Sequence, residues 1–395
     1  MKKYTLEIYL EEIDMFSKNA LIITNKVRKI PGGMLETCIK PLKDKGYNVY
    51  WAGDFSYAKF DLSSAPCELI QTPFRSNPLN PVNIKAFFVI KNQLKKLDIS
   101  LIHCNTPIGG LIGRIAGITQ KVPCIIYQAH GFLFFKGGPK LGWLYKIIEK
   151  HFSRYADILI TINDEDFSTA KKFKLRRNGL LFKVHGSGMT LDFERLRKED
   201  FLKRRRLFNI EDDTTLLISI GELNKNKNVR VTIKALSLLN DDVKLFICGE
   251  GKERKSLEKL ANKLSLTDRV QFLGYRNDVI DLIKISDIYV SSSLREGLSR
   301  TISESMAAGL PCVVSNRRGL KDLIDNNGGF LFEPNDAEEL AKCIRQLNVN
   351  RDLKIKMGEY NQNKIKTFTS NVVRNEMETI YSKADELIKE FRNVV

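Results

Sequence analysis

The chain has 395 residues, more than one compact core usually organises, so two domains are expected. Hydrophobic residues make up 43% and charged residues 28%, an ordinary globular composition, and no apolar run approaches the ~20 residues that span a bilayer. The net charge of +17 calls for an anionic partner, but zinc-ligand spacing and an aromatic RNA-binding strand are both missing from the sequence, which argues against nucleic acid and favours an anionic membrane surface or a diphosphate ligand.

The N-terminal segment and the cysteines indicate where the protein works. Glu7, Glu11, Glu12 and Asp14 break any signal-peptide core. The seven cysteines show no C-x-x-C spacing, and several fall in predicted buried strands, a pattern typical of free thiols in a reducing cytosol. We therefore expect a cytoplasmic protein that attaches peripherally to the inner face of the cell membrane.

Short apolar runs alternate with helical segments over nearly the whole chain, which predicts parallel sheets covered by helices. In the first half, strands are predicted at 19–24, 48–52, 68–72, 100–105, 123–128, 157–162 and around 182–184. In the second half, they are predicted at 215–220, 243–248, 269–273, 287–292, 311–315 and 329–332. The expected fold class is therefore α/β, with two doubly wound, Rossmann-like parallel-sheet domains.

The polar stretch 186–206 separates the two strand series and is the predicted hinge region. We expect an N-terminal extension at 1–18, a first domain at 19–190 and a second domain at 191–370. The last segment, 371–395, is amphipathic and predicts a helix.

Two loops of the first domain carry candidate ligand-binding residues. Gly33 lies in a Pro-Gly-Gly loop after the first strand, where glycine lets a backbone approach a ligand closely, although an ordinary turn is the alternative. His130 follows the strand at 123–128 and precedes a glycine, at the sheet edge where ligands bind in such folds. His103 also lies at a strand exit and is the rival candidate, and a structural histidine is the alternative interpretation.

Two other segments of this domain have competing interpretations. Asp164 and Asp166 match the bare D-x-D pattern of a metal site, but they open a predicted helix, where acidic residues cap the N-terminus. We interpret them as capping residues and expect no metal site. The segment 132–143 interleaves aromatic residues with Lys136 and Lys140, which suits either buried helix packing or docking at an anionic bilayer.

The most informative pattern is a pair of carboxylates, Glu296 and Glu304, separated by seven residues. Glu296 follows an apolar strand, and Glu304 lies in the first turns of a helix that starts near Ser299 and ends before a Gly-Leu-Pro stop. Backbone N–H groups at the helix start favour phosphate oxygens, and an ionised carboxylate beside them accepts hydrogen bonds from sugar hydroxyls. The alternatives are a solvated charge for Glu296 and a capping box from Thr301 to Glu304.

The stretch 295–324 closely resembles the nucleotide-sugar-binding motif of retaining family-4 glycosyltransferases, whose fold is called GT-B. The resemblance implies two Rossmann-like domains facing a central cleft, the first binding the acceptor and the second the nucleotide sugar. It also implies a C-terminal helix that crosses back onto the first domain. The implied activity moves a sugar from a nucleotide-diphosphate donor, most commonly a UDP-sugar, to a lipid-linked glycan acceptor, with anomeric retention. Bacterial capsule, exopolysaccharide or lipopolysaccharide assembly is the implied setting.

The same resemblance implies roles for individual residues. Glu296 and His130 are the expected catalytic residues, Glu296 orienting the donor sugar and His130 lying near its C6 hydroxyl. Glu304 would hold the ribose, and Gly33 would face the donor diphosphate and the acceptor. Further donor-binding residues are expected at the helix start, namely Leu298, Ser299 and Arg300.

Lys227 matches the family's lysine that neutralises the donor diphosphate, as a point charge for phosphate. Glu222 occupies the place of the family's arginine, so the second cation is expected from elsewhere, Lys225 or Arg300. Tyr275 follows the strand at 269–273, on a loop that lies near the nucleotide in the resembled enzymes. Those enzymes use front-face attack, with the leaving phosphate assisting deprotonation of the acceptor. We therefore expect neither a cofactor nor a divalent metal.

A non-catalytic nucleotide-sugar or membrane-surface binding protein on the same scaffold is the competing class, because a fold does not determine function. Among enzymes, the alternatives are a nucleotide-sugar epimerase and a glycogen-synthase-like transferase of the same architecture. Donor hydrolysis or sugar transfer with a panel of nucleotide sugars distinguishes these possibilities.

Overall fold

The computed structural model describes residues 17–28, 30, 32–135, 138, 141–196, 205–206, 208 and 210–394. The chain divides into two compact units, Met1–Met189 together with Ser370–Val395, and Thr190–Thr369. Most of the expected N-terminal extension, residues 1–16, lies outside the described residues.

The first unit is built on a seven-stranded sheet whose neighbouring strands pair in parallel. Its strands are β1 Asn19–Lys26, β2 Asn48–Asp54, β3 Glu68–Gln71, β4 Leu101–Asn105, β5 Cys124–Ala129, β6 Ile158–Thr161 and β7 Leu180–Lys183. The order β3-β2-β1-β4-β5-β6-β7 reverses its winding direction between β1 and β4. Chain connections leave those two strands towards opposite sides, which opens a crevice at their carboxyl ends.

Helices cover both faces of this sheet. They are α1 Gly32–Met34, α2 Lys40–Asp44, α3 Val82–Lys96, α4 Pro107–Thr119, α5 Gly142–Phe152, α6 Asp164–Ala170 and, from the end of the chain, α14 Ser370–Val394. A π-helical segment, Leu35–Ile39, joins α1 to α2. Alternate side chains of β1 enter different cores, Ala20 and Ile22 on one face, Leu21 and Ile23 on the other, because strand side chains alternate in direction.

The C-terminal helix α14 forms part of the core of the first unit. Its buried side chains include Val373, Met377, Ile380, Ala384 and Ile388, at intervals of three or four residues along one helix face. They belong to the same buried cluster as the side chains of β1 and β2. The helix therefore packs against a sheet whose strands all lie more than 180 residues earlier in the chain.

The second unit contains a six-stranded parallel sheet in the order β10-β9-β8-β11-β12-β13. Its strands are β8 Thr215–Ile220, β9 Val243–Cys248, β10 Val270–Gly274, β11 Ile288–Ser291, β12 Cys312–Ser315 and β13 Gly329–Phe332. Its helices are α7 Phe193–Leu196, α8 Val229–Leu236, α9 Arg254–Lys263, α10 Val279–Ile285, α11 Arg300–Ala307, α12 Ala337–Val349 and α13 Arg351–Ile365. Here the winding reverses between β8 and β11.

The fold class predicted from the sequence is confirmed, and all thirteen predicted strands are present with ends shifted by only a residue or two. The extension of β1 to Lys26 was not predicted, and it includes a register shift after Ile23 that lets Lys26 pair with Asp54. All seven cysteines are free thiols, as the spacing indicated. Among the described helices, none is both long and apolar enough to cross a bilayer.

Candidate functional site

The carboxyl ends of β8 and β11 bring two predicted site residues together in the second unit. Lys227 Nζ donates a hydrogen bond to Glu296 Oε1 at 2.6 Å, although the residues are 69 positions apart in the chain. The two side chains are only 22% and 15% exposed. The pair therefore lies at the switch point of this sheet, where open α/β folds bind their ligands.

Hydrogen bonds fix the two loops that carry this ion pair. Asn226 Nδ2 donates to the Arg295 carbonyl at 2.9 Å, and the Leu294 amide donates to the Asn226 carbonyl at 2.8 Å. Ser292 Oγ donates to the carbonyl of Asn228 at 2.9 Å. The loop after β8 and the loop after β11 are thus joined through their backbones, which positions Lys227 opposite Glu296.

Gly221, the first residue after β8, leaves room for the Lys227 side chain. Its φ is +150°, and a Cβ atom added there would lie 2.7 Å from Lys227 Cε. A larger residue would therefore displace the lysine stem. Glu222, which stands where the resembled family has arginine, is exposed, and so is Lys225.

Helix α11 begins where it was predicted, with Ser299 as the N-cap residue. The capping-box alternative for Glu304 is wrong. Glu304 is buried, and its Oε1 accepts a hydrogen bond from Arg300 Nε at 2.9 Å, one turn earlier on the helix. Because no side chain caps α11, its first-turn N–H groups are available for an anionic ligand beside Leu298 and Ser299.

Tyr275 follows β10, which is separated from β8 by β9. Its side chain is 77% exposed, and the preceding Gly274 has a φ of +67°. Arg276 next to it forms two hydrogen bonds to Asp278, at 2.8 and 2.6 Å, so that guanidinium is already paired within the loop. The expectation that Tyr275 contacts a nucleotide remains a prediction.

The first unit contains a cavity of about 460 Å³ at the carboxyl ends of β1, β4 and β5. We call it the polar cavity, and its lining includes Asn25, Lys26, Arg28, Gly33, Asn105, Thr106, Gln128 and His130. Two predicted site residues, Gly33 and His130, therefore line the same space. The cavity lies at the β1–β4 switch point, the position corresponding to the ion pair of the second unit.

Gly33 is required by packing as well as by its place in the cavity wall. A Cβ atom added to it would lie 2.3 Å from the Ser187 carbonyl oxygen and 2.6 Å from that of Gly188. Pro31, the residue before α1, lies outside the described residues. The close approach explains the glycine without a ligand, so its predicted role towards a diphosphate stays a prediction.

His130 lies on the cavity surface with its imidazole held by one neighbour. Asn105 Oδ1 lies 2.8 Å from His130 Nε2, which assigns the proton to Nε2 and leaves Nδ1 as an acceptor. His130 is exposed at the cavity surface, yet the protein packed around its ring lowers its pKa to about 4 by desolvation. The ring is therefore neutral near pH 7.

Asn105 and Thr106 are site residues that the sequence prediction missed. Among the described residues, Asn105 Nδ2 and Thr106 Oγ1 are buried without a hydrogen-bond partner. Thr106 also has a φ of +67°, which is uncommon for a non-glycine residue. Unpartnered buried polar atoms are costly, so these two indicate a ligand. The only signal in the sequence was their position at the end of a predicted strand.

His103, the rival candidate, is a structural residue. It is fully buried, and the Tyr381 hydroxyl on α14 lies 2.8 Å from its Nδ1. Its Nε2 lies 3.0 Å from Gln128 Oε1, which connects α14 to a residue of the cavity wall. Burial lowers the pKa of His103 to about 3, so the ring is neutral.

The prediction that the D-x-D segment starts a helix is confirmed, but the capping residue is not one of the two aspartates. The acidic residues form the first turn of α6, but Asn163 is the N-cap, and its side chain accepts from the Asp166 amide at 2.8 Å. Asp166 in turn accepts from the Phe132 amide at 3.0 Å. Within the part of the chain that the structure describes, no group of His, Cys, Asp and Glu side chains could hold a metal ion.

The aromatic segment after His130 serves packing in part. Phe132 and Phe134 are buried and stacked, with ring centroids 4.9 Å apart. Trp143 on α5 is 62% exposed, and docking of this segment at an anionic bilayer stays a prediction. Lys136 and Lys140 lie outside the described residues.

Known proteins resemble this chain in sequence and in fold. A family model described as "Glycosyl transferases group 1" matches residues 200–364, and one described as "Glycosyl transferase 4-like" matches residues 34–163. EpsD of Bacillus subtilis, which is named as a glycosyltransferase, is 34% identical over 325 residues, covering 80% of this chain and 84% of EpsD.

Two further similarities extend the comparison. The UDP-Gal:alpha-D-GlcNAc-diphosphoundecaprenol alpha-1,3-galactosyltransferase of Escherichia coli is 28% identical, covering 72% of this chain and 75% of that protein. The crystal structure of Anabaena Alr3699/HepE in complex with UDP and glucose matches with a TM-score of 0.70 at 20% identity, covering 92% of this chain and 99% of that one. The similarity to EpsD shows the family, and the similarity to HepE shows the fold. The chain therefore belongs to the family-4 type of glycosyltransferases with the GT-B fold.

Proposed function

We propose that the protein transfers a sugar from a UDP-sugar, with anomeric retention, to a glycan carried on a lipid diphosphate in cell-surface polysaccharide synthesis. The ion pair of Lys227 and Glu296 beside the start of α11 is the observation that carries the donor side. The name of the Escherichia coli relative specifies a UDP-sugar and a diphosphoundecaprenol acceptor, and HepE was crystallised with UDP and glucose. Both names support this choice of donor and acceptor.

Lys227 and the start of α11 would stabilise the departing nucleoside diphosphate. Negative charge on that group grows as the sugar–oxygen bond breaks, so a fixed cation and a helix N-terminus stabilise the transition state more than the bound donor. Lys227 is suited to this because the loop hydrogen bonds hold it in place. Arg300 is the first residue of α11 and is 71% exposed, so it would offer a second positive charge to the diphosphate.

Glu296 would orient the donor sugar. One of its carboxylate oxygens accepts from Lys227, and the carboxylate has further lone pairs for sugar hydroxyls. Glu304 is buried against Arg300 and is suited to the ribose hydroxyls in the same way. Positioning of this kind is the main contribution that a protein makes when the chemistry needs no covalent intermediate.

His130 and Asn105 would bind sugar hydroxyls in the polar cavity. The neutral imidazole offers Nδ1 as an acceptor, and Asn105 Nδ2 offers a donor that lacks a protein partner among the described residues. Gln128 adds a further amide to the cavity wall. A mixed set of donors and acceptors is what hydroxyl recognition needs, because each hydroxyl both donates and accepts.

The proposed reaction exchanges one bond at the anomeric carbon. The bond to the diphosphate oxygen breaks, the bond to the acceptor oxygen forms on the same face, and the acceptor proton passes to the leaving phosphate oxygen. Neither a protein nucleophile nor a divalent metal is assigned a role, because Lys227 and the start of α11 already offer positive charge to the diphosphate.

We further propose that the first unit binds an anionic membrane surface near the exposed Trp143. The net charge of +17 supports this proposal.

A donor-panel assay tests this proposal. Purified protein is incubated with UDP-, GDP- and TDP-sugars and a bacterial membrane extract, and nucleotide release and labelled lipid-linked product are measured. We expect sugar transfer from a UDP-sugar and full activity in the presence of a chelator. When the anomeric bond of the donor is axial, NMR should show that the new glycosidic bond is also axial. An epimerised donor without transfer would indicate an epimerase, and binding without turnover would indicate a binding protein. Activity lost in chelator and restored by manganese or magnesium would contradict the metal-free mechanism.

A further inference from the structure

The first unit contains a second cavity besides the polar cavity, and most of the residues that line it are apolar. It encloses about 270 Å³ between α4 and α5. We call it the apolar chamber, and its side chains include Ile108, Leu111, Leu133, Tyr145 and Ile148. All five offer mainly carbon surface, so the chamber suits a hydrocarbon ligand.

The two charged residues at the apolar chamber neutralise each other. Arg114 Nη2 lies 3.1 Å from Glu149 Oε2, and these side chains are 1% and 13% exposed. The Tyr127 hydroxyl donates to the other carboxylate oxygen of Glu149 at 3.1 Å. Both oxygens of the carboxylate are satisfied, whereas Arg114 Nη1 is buried without a hydrogen-bond partner among the described residues. The pair therefore adds no net charge to the chamber but leaves one buried donor unpaired.

Helix α5, which forms one side of the apolar chamber, has no buried side chain among its described residues. Trp143, Leu144 and Ile147 are exposed, by 62%, 40% and 56%, which is unusual for a helix packed on a sheet. Lys146 and Lys150 are exposed on the same helix. An apolar surface beside cations matches a hydrocarbon joined to an anionic group.

The polar cavity and the apolar chamber meet at Asn25, which lines both of them. Asn25 Oδ1 accepts from the Gly109 amide at 3.0 Å, at the start of the 13-residue helix α4. The N-cap residue of α4, Thr106, makes no side-chain capping bond, and the nearby Asn105 Nδ2 is buried without a partner among the described residues. Pro107 has no N–H, and the Gly109 N–H is already bound by Asn25. The unpartnered side-chain donors of Asn105 and Thr106, rather than the helix start, therefore favour an anion at this junction.

We infer that the apolar chamber binds the isoprenoid units next to the diphosphate of the acceptor's carrier lipid. This inference rests on the lipid-linked acceptor of the proposed function. The diphosphate lies at the start of α4, the glycan extends into the polar cavity, and the hydrocarbon enters between α4 and α5. The order of the three regions along the protein then matches the order of sugar, anion and hydrocarbon along the ligand.

A donor-free binding experiment tests this placement. Affinities of the full-length protein for farnesyl diphosphate and for methyl diphosphate are measured by calorimetry, below the concentration at which farnesyl diphosphate forms micelles. We expect farnesyl diphosphate to bind at least tenfold more tightly, because only it has an apolar group to bury. Equal affinities for the two probes would overturn the inference.

Filling the apolar chamber separates it from general hydrophobic adhesion. Leu111→Trp adds apolar surface but occupies the chamber. The affinity for farnesyl diphosphate should therefore fall to that for methyl diphosphate, and the affinity for methyl diphosphate should not change. Leu62→Trp is the matched control, since Leu62 is 47% exposed on another segment of the same unit. If Leu111→Trp is misfolded by circular dichroism, Ile148→Asn replaces it with the same expected loss. Tenfold selectivity that survives in a folded chamber variant would overturn the inference.

Two further arms distinguish the possible sources of an effect. Binding to anionic vesicles should be unchanged in Leu111→Trp, and a parallel loss would mean that the chamber residues contact the bilayer instead. Sugar transfer is measured separately, with donor and membrane extract. Tighter binding of farnesyl diphosphate without any sugar transfer would contradict the proposed function but support the lipid site. Sugar transfer without tighter binding of farnesyl diphosphate would support the proposed function but overturn the lipid site.

Discussion

We expect the ion pair between Lys227 and Glu296 to contribute more to ligand binding than to folding. The two side chains are 22% and 15% exposed, so the pair lies between a surface ion pair, worth roughly 0–1 kcal/mol, and a fully buried one. The loops around them are held by separate hydrogen bonds, from the Asn226 side chain to the Arg295 carbonyl and from the Leu294 amide to the Asn226 carbonyl. Substitutions at either residue should therefore change activity much more than they change the free energy of unfolding.

Glu296→Ala should reduce turnover by about a hundredfold, the order expected when one positioned polar group is lost from a site. The matched control is Glu258→Ala, which removes the ion pair between Glu258 and Arg254 elsewhere in the same unit. Turnover of both variants is measured with the preferred donor, and thermal unfolding checks that they are folded. Transfer near the wild-type rate by folded Glu296→Ala would show that Glu296 is not the sugar-orienting residue.

Lys227→Ala should weaken donor binding and slow bond cleavage together, because the diphosphate gains charge as it leaves. Lys234→Ala serves as the control, since Lys234 is exposed in the last turn of α8 and is not a candidate for diphosphate binding. Donor affinity is measured by calorimetry and bond cleavage by single-turnover kinetics. If Lys227→Ala retains both properties while Lys225→Ala or Arg300→Ala loses them, the diphosphate is held by one of those residues instead.

His103 should make the protein less stable in mild acid. Its pKa is about 3 in the folded protein and ~6.5 in an unfolded chain, so the unfolded state takes up the proton first as pH falls below 6.5. The resulting destabilisation at pH 5 relative to pH 7 is about 2 kcal/mol. Urea unfolding of the wild type and of His103→Gln at both pH values should show a smaller pH-dependent loss in the variant. Equal losses would mean that His103 does not titrate in this way.

At the scale of elements, α14 joins the end of the chain to the first sheet. Its apolar face belongs to the same buried cluster as β1 and β2, and its Tyr381 hydroxyl reaches His103 on β4. His103 in turn contacts Gln128 in the wall of the polar cavity. The C-terminal helix therefore supports the cavity residues as well as the core.

Met377→Ala should destabilise the protein by about 2–5 kcal/mol, the usual cost of truncating a fully buried methionine. Met377 is completely buried on α14. Lys383→Ala, on the same helix but exposed to solvent, should change stability by less than about 0.5 kcal/mol. Unfolding in urea measures both variants. A loss for Met377→Ala no larger than that for Lys383→Ala would contradict the packing of α14 described here.

At the scale of the whole molecule, the +17 net charge should direct the protein to anionic membranes. Each well-placed Lys or Arg adds about 1 kcal/mol of attraction, and salt screens it. Sedimentation with anionic vesicles should therefore decrease as salt increases. Substituting Lys136 and Lys140 together should lower binding at fixed salt, whereas Lys342 and Lys356 in the second unit are control positions. Equal binding to neutral and anionic vesicles would show that the charge serves another purpose.

The local pattern of the sequence was sufficient for the architecture and for the donor motif. Strand periodicity and the alternation with helices located every strand of both sheets, because most of the strands are buried on both faces and show their apolar runs directly. Glu296 and Glu304 were found by their fixed spacing across one strand-to-helix connection. These features lie within short stretches of chain, where spacing determines geometry.

The tertiary structure decided which distant residues meet. Lys227 faces Glu296, Asn105 faces His130 and Tyr381 faces His103 because the strand order brings loops from distant parts of the chain together, and no local spacing encodes that order. The same reason separates the two histidines. His103 lies inside β4, not at its exit as predicted, with partners on both ring nitrogens, whereas His130 directly follows β5. The sequence alone determined the α/β fold of both units and the paired-carboxylate motif. The packing of distant strands determined which residues surround that motif.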